Sequence, residues 1–251
     1  MGCALLGLSY ALPHFVGWAE CNEAHQLLPM GGALLSSSYI YFDMDSLTTR
    51  LTAGLANFSL TLSEPQIASL LAFIQLIQKW NKAYNLTAVR EPLEMVDLHL
   101  LDSLAILPHL PDGRIADIGT GAGIPGIPLA ICRPDCHFTL VDSNSKKTRF
   151  VQQAMLELKL SNVEVVHARV EQLMPKMPFD AVLTRAFASL PDIVRLTGHL
   201  LAEDGVLLAM KGQTPSDELA SVAGVHQVIP LHVPGIDAER CLIRIEKPKH
   251  G

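Results

Sequence analysis

The chain has no excess of basic residues. Its 19 Lys and Arg stand against 25 Asp and Glu, a formal charge of −6 over 251 residues. A sequence-blind nucleic-acid binder carries the opposite balance, so any contact with nucleic acid has to be a local patch. Cysteine is also sparse, and Cys3, Cys21, Cys132, Cys136 and Cys241 include no CxxC pair. This excludes a zinc or disulfide framework and reads as reduced thiols in a cytosolic protein. Cys132 and Cys136 lie four apart, but no His or second Cys pair completes a ligand set, and no metal is expected.

No Lys or Arg precedes Arg50. The stretch 1–43 therefore lacks the positive n-region of a signal peptide. Pro13, His14 and Glu20 interrupt it before the ~18 apolar residues of a membrane span. After Gly2, Leu6 stands where a myristoylation site needs Ser or Thr. The segment reads either as a loosely packed extension or as residues ahead of a true start at Met44, where helical composition begins.

What the chain does have is one glycine-rich stretch, Ile115 to Ala130, reading IADIGTGAGIPGIPLA. A short apolar strand runs into Gly119, Gly121 and Gly123, with Gly126 opening a small-residue helix. Such a turn lets a ligand approach the main chain, and the helix N-terminus is expected to face an anionic or carboxylate-bearing molecule. Gly121 to Gly126 also matches GxGxxG, so a nicotinamide or flavin dinucleotide is an alternative. The prefix Asp117-Ile118-Gly119 gives the D-x-G-x-G form typical of S-adenosylmethionine sites. Asp142, nineteen residues after Gly123, ends the next strand and can accept from both ribose hydroxyls; its competing role is a helix cap. Val170 and Glu171, after the third strand, either lie near the adenine edge or simply start a helix.

Around this turn the chain organises into 1–43, a helical cap over 44–110, and an α/β domain over 111–251. Ser63 and Gln66 form a capping-box pattern before Ile67, Leu70, Leu71, Ile74 and Ile77 at helical spacing. A second helix is predicted over 92–107. Strands are predicted at 115–118, 137–142, 163–167, 180–184, 205–210, 227–233 and 241–245, with helices at 146–160, 191–201 and 216–222. This alternation predicts a doubly wound, mostly parallel sheet whose two closing strands are antiparallel.

Seven motifs carry a resemblance: WNKAYNLTAVR (Trp80–Arg90), HLLDSL (His99–Leu104), DIGTGAGIPGIPLA (Asp117–Ala130), LVDSNSKKTRF (Leu140–Phe150), RVE (Arg169–Glu171), RAFASL (Arg185–Leu190) and LLAMKGQ (Leu207–Gln213). From about Leu47 onward the chain resembles the RsmG (GidB) family of bacterial small-subunit rRNA guanine-N7 methyltransferases. The resemblance implies a seven-stranded class I, Rossmann-like methyltransferase fold and S-adenosylmethionine as donor. It also implies 16S rRNA as substrate, at N7 of guanine 527 in the 530 loop, within the small subunit or its assembly intermediate. A cytoplasmic, monomeric enzyme without metal or membrane contact is expected. Cofactor contacts carried over by the resemblance fall on Gly119, Ile124, Val170, Glu171 and Arg185; Gly121, Gly123 and Asp142 join them on the turn argument.

Guanine N7 has an in-plane lone pair, so methyl transfer to it needs no general base. Arg169, Arg185 and Lys211 follow three strands whose ends converge in such a sheet, and are expected to form one patch for rRNA phosphates or guanine O6. Phe187 either stacks on the base or packs in the core. Lys146, Lys147 and Arg149 read as a solvated helix face or an RNA contact. His99 and Asp102, three apart on one helix, read as a polar tie between cap and core rather than a catalytic pair. Two other functions fit the turn: a nicotinamide-dependent oxidoreductase and a non-catalytic ribosome-assembly factor.

Overall fold

Alternate residues along each strand sort into two separate cores. Ile115, Leu183 and Leu208 pack on one side of the sheet; their neighbours Ala116, Val182 and Leu207 pack on the other. A sheet that is apolar on both faces must be covered on both, which is why helices intervene between the strands. The computed structural model describes residues 44–222 and 226–247. The reading of 1–43 lies outside the described residues.

The strands are β1 (Arg114–Ile118), β2 (His137–Asp142), β3 (Val163–His167), β4 (Phe179–Arg185), β5 (Leu201–Lys211), β6 (His226–Leu231) and β7 (Arg240–Glu246). They form a single sheet in the order β3-β2-β1-β4-β5-β7-β6. The pairs from β3 across to β5 are parallel, while β7 runs antiparallel to both β5 and β6. The chain direction across the sheet reverses at β1, which pairs with β2 on one side and β4 on the other. The ends of β1, β2 and β4 are therefore the expected place for a ligand crevice.

The preceding helices are α1 (Met44–Asn57), α2 (Glu64–Tyr84), α3 (Pro92–Met95) and α4 (Asp102–Leu104). Ser63 opens α2 by donating its N–H and its hydroxyl to Gln66 Oε1. Gln66 Nε2 in turn donates to Ile131 O, tying the helix to the end of the helix Gly126–Cys132. Phe73 of α2 stacks on Phe150 at 6.4 Å, and Trp80 meets the same ring. Arg50 of α1 grips Asp97 with two hydrogen bonds of 2.7 and 2.8 Å.

The single helix predicted over 92–107 is broken. Between α3 and α4 the residues Val96–Leu101 form a π-helical turn, and Leu107–His109 is a 3₁₀ turn. The apolar spacing is insensitive to this change because Val96, Leu100 and Leu101 are buried either way. The strand β5 starts at Leu201, four residues before the predicted start. Leu201 pairs with Phe179 across an irregular register, while the helix α7 (Leu190–Thr197) stops earlier than predicted and gives way to a 3₁₀ turn over Gly198–Leu200. The remaining helices are α5 (Gly126–Cys132), α6 (Ser145–Glu157) and α8 (Ser216–Ala220). No helix among the described residues is long and apolar enough to cross a membrane.

Candidate active site

The glycine turn folds as the sequence requires. Gly119, Gly121 and Gly123 have φ of +71°, +61° and +79°, a region costly to any residue with a Cβ. A Cβ on Gly119 would also stand 2.6 Å from Phe187 Cδ2. Most amides of the turn, however, are already bonded within the protein, and the cause is local. Asp117 is fully buried, and its Oδ2 accepts from Thr120 Oγ1 at 2.6 Å and from Gly126 N at 3.0 Å. Gly119 N and Thr120 N both donate to Val141 O, Gly123 N and Ile124 N to Thr120 O, and Gly121 N to Asp142 Oδ2. Five amides of the turn, and that of Gly126, are thus bonded inside the protein. Burial lifts the Asp117 carboxyl to about 6, against the lowering pull of its Thr120 and Gly126 bonds and of Arg185.

A cavity of about 300 Å³ lies on the other side of Gly119, at the C-terminal ends of β1 to β4. Gly119, Asp142, Arg169, Val170, Glu171 and Phe187 line it, joined by Lys147, Ser143 and Ala168. Gly121, Gly123 and Ile124 do not line it. The two glycines shape the turn behind it, and Ile124 is buried in the core. Asp142 is 8% exposed, with Oδ2 held by Gly121 N at 2.9 Å and Oδ1 by Asn144 N at 2.8 Å. The helix-cap role belongs to Asn144, whose side chain accepts from Lys146 N at 3.0 Å. Lys147 was legible only as part of a basic run; its place in the first turn after Asp142 is what brings it to the cavity. The charges of this lining are mixed, Asp142 and Glu171 against Lys147 and Arg169.

The expected single patch of Arg169, Arg185 and Lys211 does not form. Ala186 adopts the left-handed region at φ +50°, and the residues on either side of it line different cavities. Phe187 lines the first cavity, packed against Gly119. Arg185 lines a second cavity of about 340 Å³ with Asp102, Met210, Lys211, Leu231, Arg240 and Cys241; Ala186 borders both. Arg169 is exposed at the first cavity, while Lys211 Nζ is held at 3.1 Å by both Ala188 O and Glu218 Oε2. Arg240, absent from the sequence-based candidates, joins through Asp102: Asp102 Oδ2 accepts from Arg185 Nη1 at 2.9 Å and Oδ1 from Arg240 Nε at 3.1 Å.

Asp102 thus ties α4 to β4 and β7, as the polar-tie reading expects. His99 has a separate role. Its Nε2 meets Thr87 Oγ1 at 3.0 Å, and burial, then the Arg185 charge, hold its imidazole down to about 4. Cys132, Cys136 and Cys241 are free and buried. Asp112, Asp135 and Cys136 cluster, but the Arg133 guanidinium pairs with both carboxylates at 2.6 and 2.8 Å.

A sheet in this order, with β7 reversed, a glycine turn after β1 and an acidic residue closing β2, defines a class I, Rossmann-like methyltransferase. Residues 66–243 match the family described as GidB, rRNA small subunit methyltransferase G, and the chain belongs to that family. It is 51% identical over 195 residues to ribosomal RNA small subunit methyltransferase G of Methylobacillus flagellatus, covering 77% of this chain and 95% of the relative. The Escherichia coli protein of the same name is 47% identical over 203 residues, covering 80% and 98%. Among solved structures, a protein described as a predicted O-methyltransferase from Agrobacterium tumefaciens superposes with a TM-score of 0.48 at 25% identity, covering 61% of this chain and 82% of that one.

Proposed function

We propose that the protein transfers a methyl group from S-adenosylmethionine to N7 of a guanine in 16S rRNA, the guanine 527 of the 530 loop that its family resemblance implies. The observation that carries the donor assignment is the bonding of the glycine turn. With its amides satisfied by Val141, Thr120, Asp117 and Asp142, the turn has little to offer a pyrophosphate. That argues against the nicotinamide reading despite the GxGxxG match, as does membership of a methyltransferase family.

The first cavity fits S-adenosylmethionine instead. Its lining of two acids and two bases suits a ligand that carries both signs. Asp142 would accept from the ribose hydroxyls, because its oxygens are oriented by two backbone amides and each retains a further lone pair. Gly119 leaves room for the ligand beside Phe187, and Val170 would pack against the adenine. When bound, S-adenosylmethionine supplies a sulfonium methyl that passes to a nitrogen lone pair as the bonding pair returns to sulfur. N7 carries no proton, so the chain needs no general base. The residues bind and align. The carboxylates of Asp142 and Glu171 and the cations of Lys147 and Arg169 line the same cavity, so both signs of charge would face the ligand.

We assign the substrate to the small ribosomal subunit or its assembly intermediate, the site of action to the cytoplasm, and the active form to a monomer. Domain roles follow the same reading: 44–110 as a cap and 111–251 as the catalytic domain. Calorimetric titration with S-adenosylmethionine and with NAD tests the donor assignment. Saturable binding of the first alone is expected; binding of NAD alone would overturn the reading.

A further inference from the structure

A second cavity lies beside the one assigned to the methyl donor. It is separated from the first by Ala186, which lines both. Its walls include the apolar side chains of Met210 and Leu231, and its polar groups are linked rather than scattered. Asp102, 5% exposed, holds Arg185 with one oxygen and Arg240 with the other. The remaining bonds of the two guanidiniums are few: Arg185 Nη1 also donates to Leu98 O, and Arg240 Nη1 to Glu239 O. Among the described residues Arg185 Nη2 and Arg240 Nη2 donate to no protein acceptor. Side-chain exposures of 25% and 23% leave both heads reachable from the cavity.

We propose that this cavity receives the target purine, with the Arg185–Asp102–Arg240 group selecting guanine through its O6 and Asp102 acting as the positioning residue. The proposal rests on the rRNA guanine reading above and adds the site and the means of base choice. A guanidinium presents donors only. Guanine offers an acceptor at O6, where adenine carries a donor amine, so donors fixed at this place accept one purine and repel the other. Base recognition here must spare N7, which has to remain free for the methyl; a donor aimed at O6 alone does so. Arg240 Nε and Arg185 Nη1 are already committed to Asp102, which restricts how the two heads can rotate.

The charge of the cavity fits the product as well. Methylation at N7 leaves the purine cationic, and three bare cations would oppose it. Asp102 offsets the arginine pair in part, and Glu218 sits 3.1 Å from Lys211 Nζ. The apolar walls then accommodate the flat body of the base.

The test compares small subunits reconstituted with 16S rRNA carrying either guanine or 2-aminopurine at the target position. Both bases keep N7 and the 2-amino group; only guanine has O6. The wild-type protein is expected to favour guanine, and Arg240→Met to lower that preference roughly 10- to 100-fold with S-adenosylmethionine affinity unchanged. Arg240→Lys should restore part of it. Leu231→Trp, which fills the cavity from the strand paired with Arg240 and leaves all three charged side chains in place, keeps the question answerable if Arg240→Met does not fold; it should raise KM for the subunit while donor affinity stays constant. Equal losses on both bases would mark Arg240 as a phosphate contact and overturn the proposal, as would an Arg240→Met enzyme with wild-type selectivity. If the wild-type protein binds donor but methylates neither base, the rRNA reading itself fails and the base assignment goes with it.

Discussion

The two cavities meet at Ala186 yet are built in different ways. The first is assembled from segments that each follow a strand end, and its key carboxylate, Asp142, is fixed by amides of the adjoining turn. The second is assembled from residues far apart in the chain: Asp102 reaches Arg185 across 83 positions and Arg240 across 138. A local site of the first kind is shaped by backbone conformation, whereas a site of the second kind depends on ion pairs that bridge α4, β4 and β7. Substitutions in the first should therefore affect donor binding with little effect on rRNA affinity, and those in the second the reverse.

The largest separation is expected from Gly119→Val. The positive φ and the 2.6 Å approach to Phe187 leave no place for a side chain, and donor affinity should fall by at least roughly 100-fold. Binding of small subunits, followed by filter retention, should persist. Asp102→Ala tests the other cavity. It strips two arginines of their shared partner, and urea unfolding should show a loss of about 3 kcal/mol, the scale of a broken buried pair. Donor affinity of the folded fraction should match the wild type.

Asp142→Ala is expected to weaken S-adenosylmethionine binding by roughly 10- to 100-fold, the value of hydrogen bonds to a charged acceptor. Unchanged affinity in calorimetry would return Asp142 to a purely structural role in the turn.

The smallest expected effect separates two buried groups by pH. His99 titrates near 4 when folded and near 6.5 when unfolded, so the unfolded chain gains a proton first and stability falls as pH drops through that window. Asp117 titrates near 6 when folded against 3.8; the folded chain holds the proton longer, and stability falls as pH rises through that window. The two oppose each other between pH 4 and 6. His99→Gln should therefore gain stability toward pH 4 in urea titrations, and Asp117→Asn should lose it more steeply than the wild type.

Much of the first region was readable from the chain. β2 and β3 begin and end where predicted, because turn residues bracket strongly β-branched runs. Asp142 was found from its spacing to the glycine turn. The failures have physical causes. The helix-terminus argument could not anticipate that Asp117 bonds Gly126 N, because a buried carboxylate and a helix-start glycine nine residues apart carry no periodic signal. Arg169, Arg185 and Lys211 do follow or end three parallel strands, β3, β4 and β5. Arg185 and Lys211 share the second cavity, while Arg169 lies at the first across the left-handed Ala186, and nothing in Arg-Ala-Phe marks a positive φ. Arg240 was missed because its relation to Asp102 exists only once β7 inserts beside β5.

The proposed function is tested most directly by where the methyl goes. Mass mapping of 16S rRNA from cells lacking the gene, with and without its return, reads this out. Guanine 527 is expected to lack a methyl in the deleted strain and to regain it at N7 on complementation. A methyl present regardless of the gene, or restored on another base, would contradict it.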